Sequence, residues 1–287
     1  MRMGREAAMK AVTIISILAV VIGGLLMTSC SGGSEAVKVG TPAFYWAGAK
    51  ETYAAGDYVK TIEHLENLAK TQNEYTSRAL PWHLILTSGM ARGYMELADN
   101  FEYGARANRA NAAAFRRQMT AFRAYANTLA LQFAHIYQEF LKNQDPHVVL
   151  DFPFPQGSPL PPPQLSKIGG GEMLSPAIVE DVRRAHLRTS VVLEACRAVG
   201  APDDVAKSQD IFKATPAQVP REVFLLAMAD SLHEHAKLYT RTKLDQPARV
   251  ELFATQSLET LKQIPSSKET KALADKIQKT LKSVKSS

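Results

Sequence analysis

Cysteine is nearly absent from this chain of 287 residues, with only Cys30 and Cys196. That excludes the stapled framework of a disulfide-rich domain. Strict alternation of apolar and polar residues is absent too, so nothing reads as a half-buried strand, while apolar residues recur three or four apart in nearly every segment after Pro42. The fold class expected is therefore all-α. No HExxH, GxSxG, Walker or GxGxxG pattern occurs, and the Gly169 to Gly171 triplet lacks the strand and lysine of a phosphate loop, so no enzyme class is indicated. Seven histidines are present, but His233 and His235 stand two apart. On a helix they point about 200° apart and cannot share an ion. His235 is expected on the packing face and His233 outward, with no metal and no cofactor.

Apolar residues are concentrated at the start. Arg2, Arg5 and Lys10 precede an almost wholly apolar run from Ala11 to Met27, and Thr28 and Ser29 lead into Cys30. This resembles the export signal and lipobox of bacterial lipoproteins. The resemblance implies that residues 1–29 are a signal peptide, that Cys30 carries the lipid, and that the folded part lies in the cell envelope. Ser31 stands where Asp commonly signals inner-membrane retention in that family, which implies an outer membrane location facing the periplasm. The rival reading is an uncleaved membrane anchor, for which the apolar run is near the lower limit of about 17 residues and Gly23 and Gly24 are unfavourable. Both readings place the body outside the cytoplasm, so nucleic acid is not an expected partner, and a formal charge of +6 is weak evidence for an anionic one. With Cys30 taken up by lipid, Cys196 has no disulfide partner, and its helical spacing with Val182, Thr189, Val192 and Val199 predicts a buried thiol.

Residues 30–41 are small and polar enough for a flexible tether. Residues 43–70 then read as a helix, a turn at Ala55 to Asp57 and a second helix with Ile62, Leu65 and Leu68 on one side. This resembles a tetratricopeptide repeat, with Tyr45 where that family usually has Trp. The resemblance implies antiparallel helical hairpins stacked as an array or bundle, and a concave face on the first helix carrying Trp46, Lys50 and Tyr53. These three are candidate partner-binding residues; the alternative is that a neighbouring helix or loop covers them as core.

A helix with Pro81 in its first turn is expected to run to about Tyr103, with Trp82 buried by its hairpin partner, a helix over about residues 108–142. Gly89 and Gly93 would allow a further helix to approach closely. Arg109, Arg116 and Arg123 recur every seven residues, either as a basic strip for an anionic partner or as a solvated face paired with Glu96, Asp99 and Glu102. Residues 145–175 hold seven of the fifteen prolines and are expected to form a long loop without helix or central strand. Within it Phe152 and Phe154 read as a plug over the helices or as a docking segment. Ser175 and Pro176 restart the helices, the last of which opens on a Ser266 to Glu269 capping box and makes a Lys-rich outer cap.

This organisation gives an N-terminal helical half, 42–144, the loop, and a C-terminal half, 176–287. The function expected is that of a non-enzymatic, lipid-anchored envelope protein that binds another protein as adaptor or assembly factor. The alternative is the ligand-binding lipoprotein of a solute-uptake system, as in similar helical-repeat lipoproteins that hold a ligand between helices.

Overall fold

The computed structural model describes residues 38–214 and 216–285, so the expected signal peptide, residues 1–29, and the expected lipid attachment at Cys30 lie outside the described residues. From Gly40 onward the chain is one all-α unit. Its first hairpin joins α1 (Pro42–Ala54) to α2 (Tyr58–Ala69). Thr41 caps α1, its hydroxyl accepting from the Phe44 amide at 3.3 Å, and Pro42 fills the first position where no N–H is needed. The chain reverses at Gly56, whose φ of +69° favours glycine, and Asp57 then caps α2 by accepting from the Lys60 amide.

The centre is the hairpin of α3 (Thr76–Ala107) and α4 (Ala112–Leu141), joined by a 3₁₀ turn at Arg109–Asn111. α3 begins a full turn earlier than expected. Asn73 and Thr76 cap one another across the preceding turn, the Asn73 amide donating to the Thr76 hydroxyl at 3.0 Å. The helix is thus nucleated upstream, and Pro81 forfeits only one early amide bond. From Ala79 to Ala91 α3 is buried on every side, as a helix enclosed by neighbours must be.

α5 (Gln164–Gly169) and α6 (Pro176–Ala198) pack against α3. α7 (Val205–Ile211), α8 (Arg221–Ala236), α9 (Pro247–Leu261) and α10 (Lys268–Lys285) complete the array. At the α3–α6 crossing a Cβ on Gly89 would lie 2.9 Å from the Val191 Cα, so the two backbones nearly touch there. Ser175 caps α6 as expected, its hydroxyl accepting from the Ile178 amide.

The proline-rich segment differs from its expectation. It opens with β1 (His147–Leu150), which pairs antiparallel with β2 (Ala217–Pro220) in the register Val148 to Val219, and it contains α5. Both follow from where the prolines stand. The HVVL run precedes Pro153 and keeps its amides free for pairing, while Pro161, Pro162 and Pro163 lie just ahead of α5, where amides have no helical partner. The last cap is shifted by one residue: the Ser267 hydroxyl accepts from the Thr270 amide at 3.2 Å and the Ser267 amide donates to Thr270 Oγ1 at 2.8 Å. α10 then buries Leu273 and Ile277 against Ala229 and Ala254, leaving Lys268, Lys271, Lys276, Lys279 and Lys282 outward.

Candidate functional site

The residues expected to meet a partner are mostly core. Trp46, Tyr53 and Phe152 are buried, with the Phe152 ring 5.2 Å from Trp46, 4.8 Å from Tyr53 and 5.4 Å from Trp82. The Tyr53 hydroxyl donates to the Pro153 carbonyl at 2.8 Å, and Tyr58 donates to that of Gln156 at 3.2 Å. Asp151 receives a bidentate pair from Arg78. The face of α1 expected to be concave and open is thus covered by the loop, and the structure selects the core alternative for these rings. Phe154 is half-buried beside Phe212, and Lys50 is exposed with its ammonium over the Trp46 ring. Trp82 is buried, although the rings around it come from α1, the loop and Phe212 rather than from α4.

Other residues are also placed differently. His233 is buried, because α10 covers that side of α8 and Thr280 lies 3.0 Å from its Nε2. His235 is buried edge-on to Phe133, as the packing face requires. Cys196 is buried, and burial pushes its thiol up. In the basic row, Arg123 pairs with Glu102 at 2.7 Å and Arg106 binds the same carboxylate, while Arg109 and Arg116 are exposed. Asp99 goes instead to Lys243 and Glu96 to His186. Among the described residues no group of three or more His, Cys, Asp or Glu is placed to hold a metal ion, and no helix is long and apolar enough to cross a membrane.

A larger concave feature lies elsewhere, in a trough of about 860 Å³ between α2, α4 and the 168–183 segment, floored by α3. Met90, Tyr94 and Phe101 form the floor, and α4 contributes the wall from Phe115 to Leu129. The rings make a continuous row: Phe115 stands 5.9 Å from Phe101, Phe101 5.4 Å from Phe122, Phe122 5.8 Å from Tyr94, and Tyr94 5.2 Å from Tyr125. Around the mouth Tyr125, Met173 and Val59 are 55%, 51% and 47% exposed, an apolar lip in contact with water.

A few polar groups converge on this apolar channel. Arg183 grips Glu180 with two bonds of 2.7 and 2.5 Å and donates to the Tyr94 hydroxyl at 2.8 Å. The bonds from Arg183 hold the Glu180 carboxyl below its usual range, and burial raises the Tyr94 phenol despite the guanidinium beside it. Glu63 and Glu66 stand exposed on the α2 side, and Arg117 and Gln118 on the α4 side. This lining suits binding: dispersion and apolar burial along the row of rings, and orientation by fixed charges at the edge.

Sequence reasoning missed the trough. One signal for it was present: Ala114, Gln118, Ala121, Tyr125, Thr128 and Gln132 form a stripe of uncharged residues on α4, bordered by Arg117, on a helix that elsewhere bears Arg116 and Arg123. It also missed the buried pair between Arg92 and Glu194, 3.3 Å apart at the meeting of α3, α6 and α8. Comparison with known proteins finds no protein family, no curated protein and no solved structure that matches this chain.

Proposed function

We propose that this chain is a non-enzymatic, lipid-anchored protein of the cell envelope that carries an elongated, largely apolar ligand in the trough. The observation that supports it is the channel of about 860 Å³, within the roughly 300 to 1,000 Å³ of small-ligand sites and lined as they are. The far end of the proline-rich segment supplies Ile168, Met173 and Leu174 to its wall, which favours the ligand-carrying alternative over an open peptide groove on α1. Of the tetratricopeptide resemblance, this reading needs only the hairpin stacking.

The neutral fluorophore N-phenyl-1-naphthylamine tests it. Wild type is expected to bind the probe, and Ala121→Trp, which places a large ring over the channel from an exposed position of α4, is expected to weaken binding at least about tenfold, or about 1.4 kcal/mol. Equal binding by both proteins would refute the trough as the site. The adaptor reading retains one supporting observation, the exposed lip of Val59, Tyr125 and Met173. In that case the channel would receive an apolar segment of another envelope protein.

A further inference from the structure

A second recess opens beside the first. It has a volume of about 410 Å³, shares Val59, Met90 and Arg183 with the trough, and adds Arg184 and Arg188 of α6 and the turn at Gly56 and Asp57. The turn is shaped around Arg188. A Cβ on Gly56 would fall 2.8 Å from the Arg188 Nη2, and that nitrogen donates to the Ala55 carbonyl at 3.3 Å. Arg188 forms no ion pair among the described residues, whereas Arg184 binds Asp181 at 2.8 Å and Arg183 binds Glu180. Asp57, the acid in the recess, is occupied as the cap of α2 and lies 3.6 Å from the Lys60 ammonium. Of the three guanidinium groups at the recess, Arg183 and Arg184 are held by Glu180 and Asp181, and Arg188 is left to meet an incoming anion.

The α2 flank of the channel bears the opposite sign, while Arg117 stands on the α4 wall across from it. Glu63 and Glu66, one turn apart on α2, line the flank with no ion pair among the described residues. Along α3 the floor runs from Met90, next to the recess, to Phe101 at the far end, roughly 16 Å at 1.5 Å per residue. Tyr94, Phe122, Phe101 and Phe115 follow one another in that direction.

We infer that the trough takes an amphipathic anion, its carboxylate or phosphate head in the recess of Arg183, Arg184 and Arg188 and its apolar chain along the row of rings; this rests on reading the trough as a ligand site. Guanidinium groups present paired donors that fit either oxyanion. The acidic flank repels the head from the side and so fixes the direction in which the ligand lies.

Displacement of N-phenyl-1-naphthylamine by four ligands with the same sixteen-carbon chain tests the inference: hexadecanoate, hexadecyl phosphate, hexadecanol and hexadecyltrimethylammonium, each below its micelle concentration. At least one anion is expected to displace the probe at about tenfold lower concentration than the alcohol, the worth of a charge-assisted hydrogen bond. The stronger of the two anions identifies the head. Arg188→Glu, at an exposed position, is expected to abolish the preference for the anion over hexadecanol. Equal displacement by anion and alcohol, tighter binding of the cation, or an anion preference that survives Arg188→Glu would overturn the inference, with probe binding and its loss in Ala121→Trp still upholding the trough. Failure to bind the probe at all would overturn both.

Discussion

Glu194 is buried completely at the meeting of α3, α6 and α8, where Ser88 donates to it at 2.9 Å, Ser231 at 2.5 Å and Arg197 at 3.0 Å, with Arg92 at 3.3 Å. Burial by itself pushes this carboxyl up, and the two arginines and two hydroxyls outweigh it, so the group is held below its usual range and stays charged. Glu194→Ala would leave the nearly buried Arg92 facing Asp230 alone, with an expected loss of about 3 to 5 kcal/mol in urea unfolding. A loss under about 1 kcal/mol, typical of a surface pair, would contradict this. Histidine sets the response to acid. Burial pushes His83 and His235 down to about 3, so both stay neutral in the fold, whereas an unfolded histidine titrates near about 6.5. As pH falls below about 6.5 the unfolded chain takes up protons that the folded chain refuses. Stability is therefore lost from about 6.5 down to about 3, by on the order of 1 kcal/mol per pH unit for each ring. The urea midpoint is expected to be lower at pH 5 than at pH 7, and His235→Gln to flatten that slope. A midpoint that rises on acidification would contradict the account. His235 on the packing face was legible in the sequence, but the Glu194 network was not, because a Glu, two Arg and two Ser on three different helices acquire a common role only when tertiary packing brings them together.

At the scale of elements, two junctions hold the array. At the α3–α6 crossing the obstacle to a Cβ on Gly89 is backbone, the Val191 Cα at 2.9 Å, whereas at Gly93 it is the Ser190 hydroxyl at 2.7 Å and a Leu187 methyl at 3.0 Å, which can rotate away. Gly89→Ala is accordingly expected to cost about 1 to 3 kcal/mol even though alanine is the better helix former, and Gly93→Ala distinctly less. Equal melting shifts would show that helix propensity and not the crossing governs both positions. The second junction is the proline-rich segment, held by the Phe152 ring, the Asp151 to Arg78 pair and the β1–β2 ribbon. Phe152→Ala is expected to cost about 3 to 5 kcal/mol and to speed tryptic cutting at Lys167, which is half exposed in α5. Unchanged cutting would mean that the ring does not hold the segment down. Most helices were legible to within a few residues, since period and caps are local properties: Ser175 with Pro176 marked the start of α6, and Gly89 with Gly93 announced a close approach. The strands and α5 were missed because proline was read as excluding regular structure wherever it is dense, although before Pro153 and ahead of α5 it removes no amide that was needed. The face of α1 was ambiguous for a related reason. Trp46 and Tyr53 carry the spacing of a helix face, and spacing does not tell whether solvent or a loop a hundred residues away covers it.

For the whole molecule, the all-α class followed from periodicity alone, whereas the channel did not, because a concavity is a relation between α2, α3, α4 and a distant loop. The uncharged stripe on α4 is its local trace. The central claim is that this channel carries a ligand, and it is tested most directly by native mass spectrometry of the full-length protein purified from the cells that make it. The account predicts a discrete noncovalent adduct on wild type that is released on collisional activation and is missing or strongly reduced in Ala121→Trp. An adduct of the same mass and occupancy in both proteins, or none in either, would contradict it.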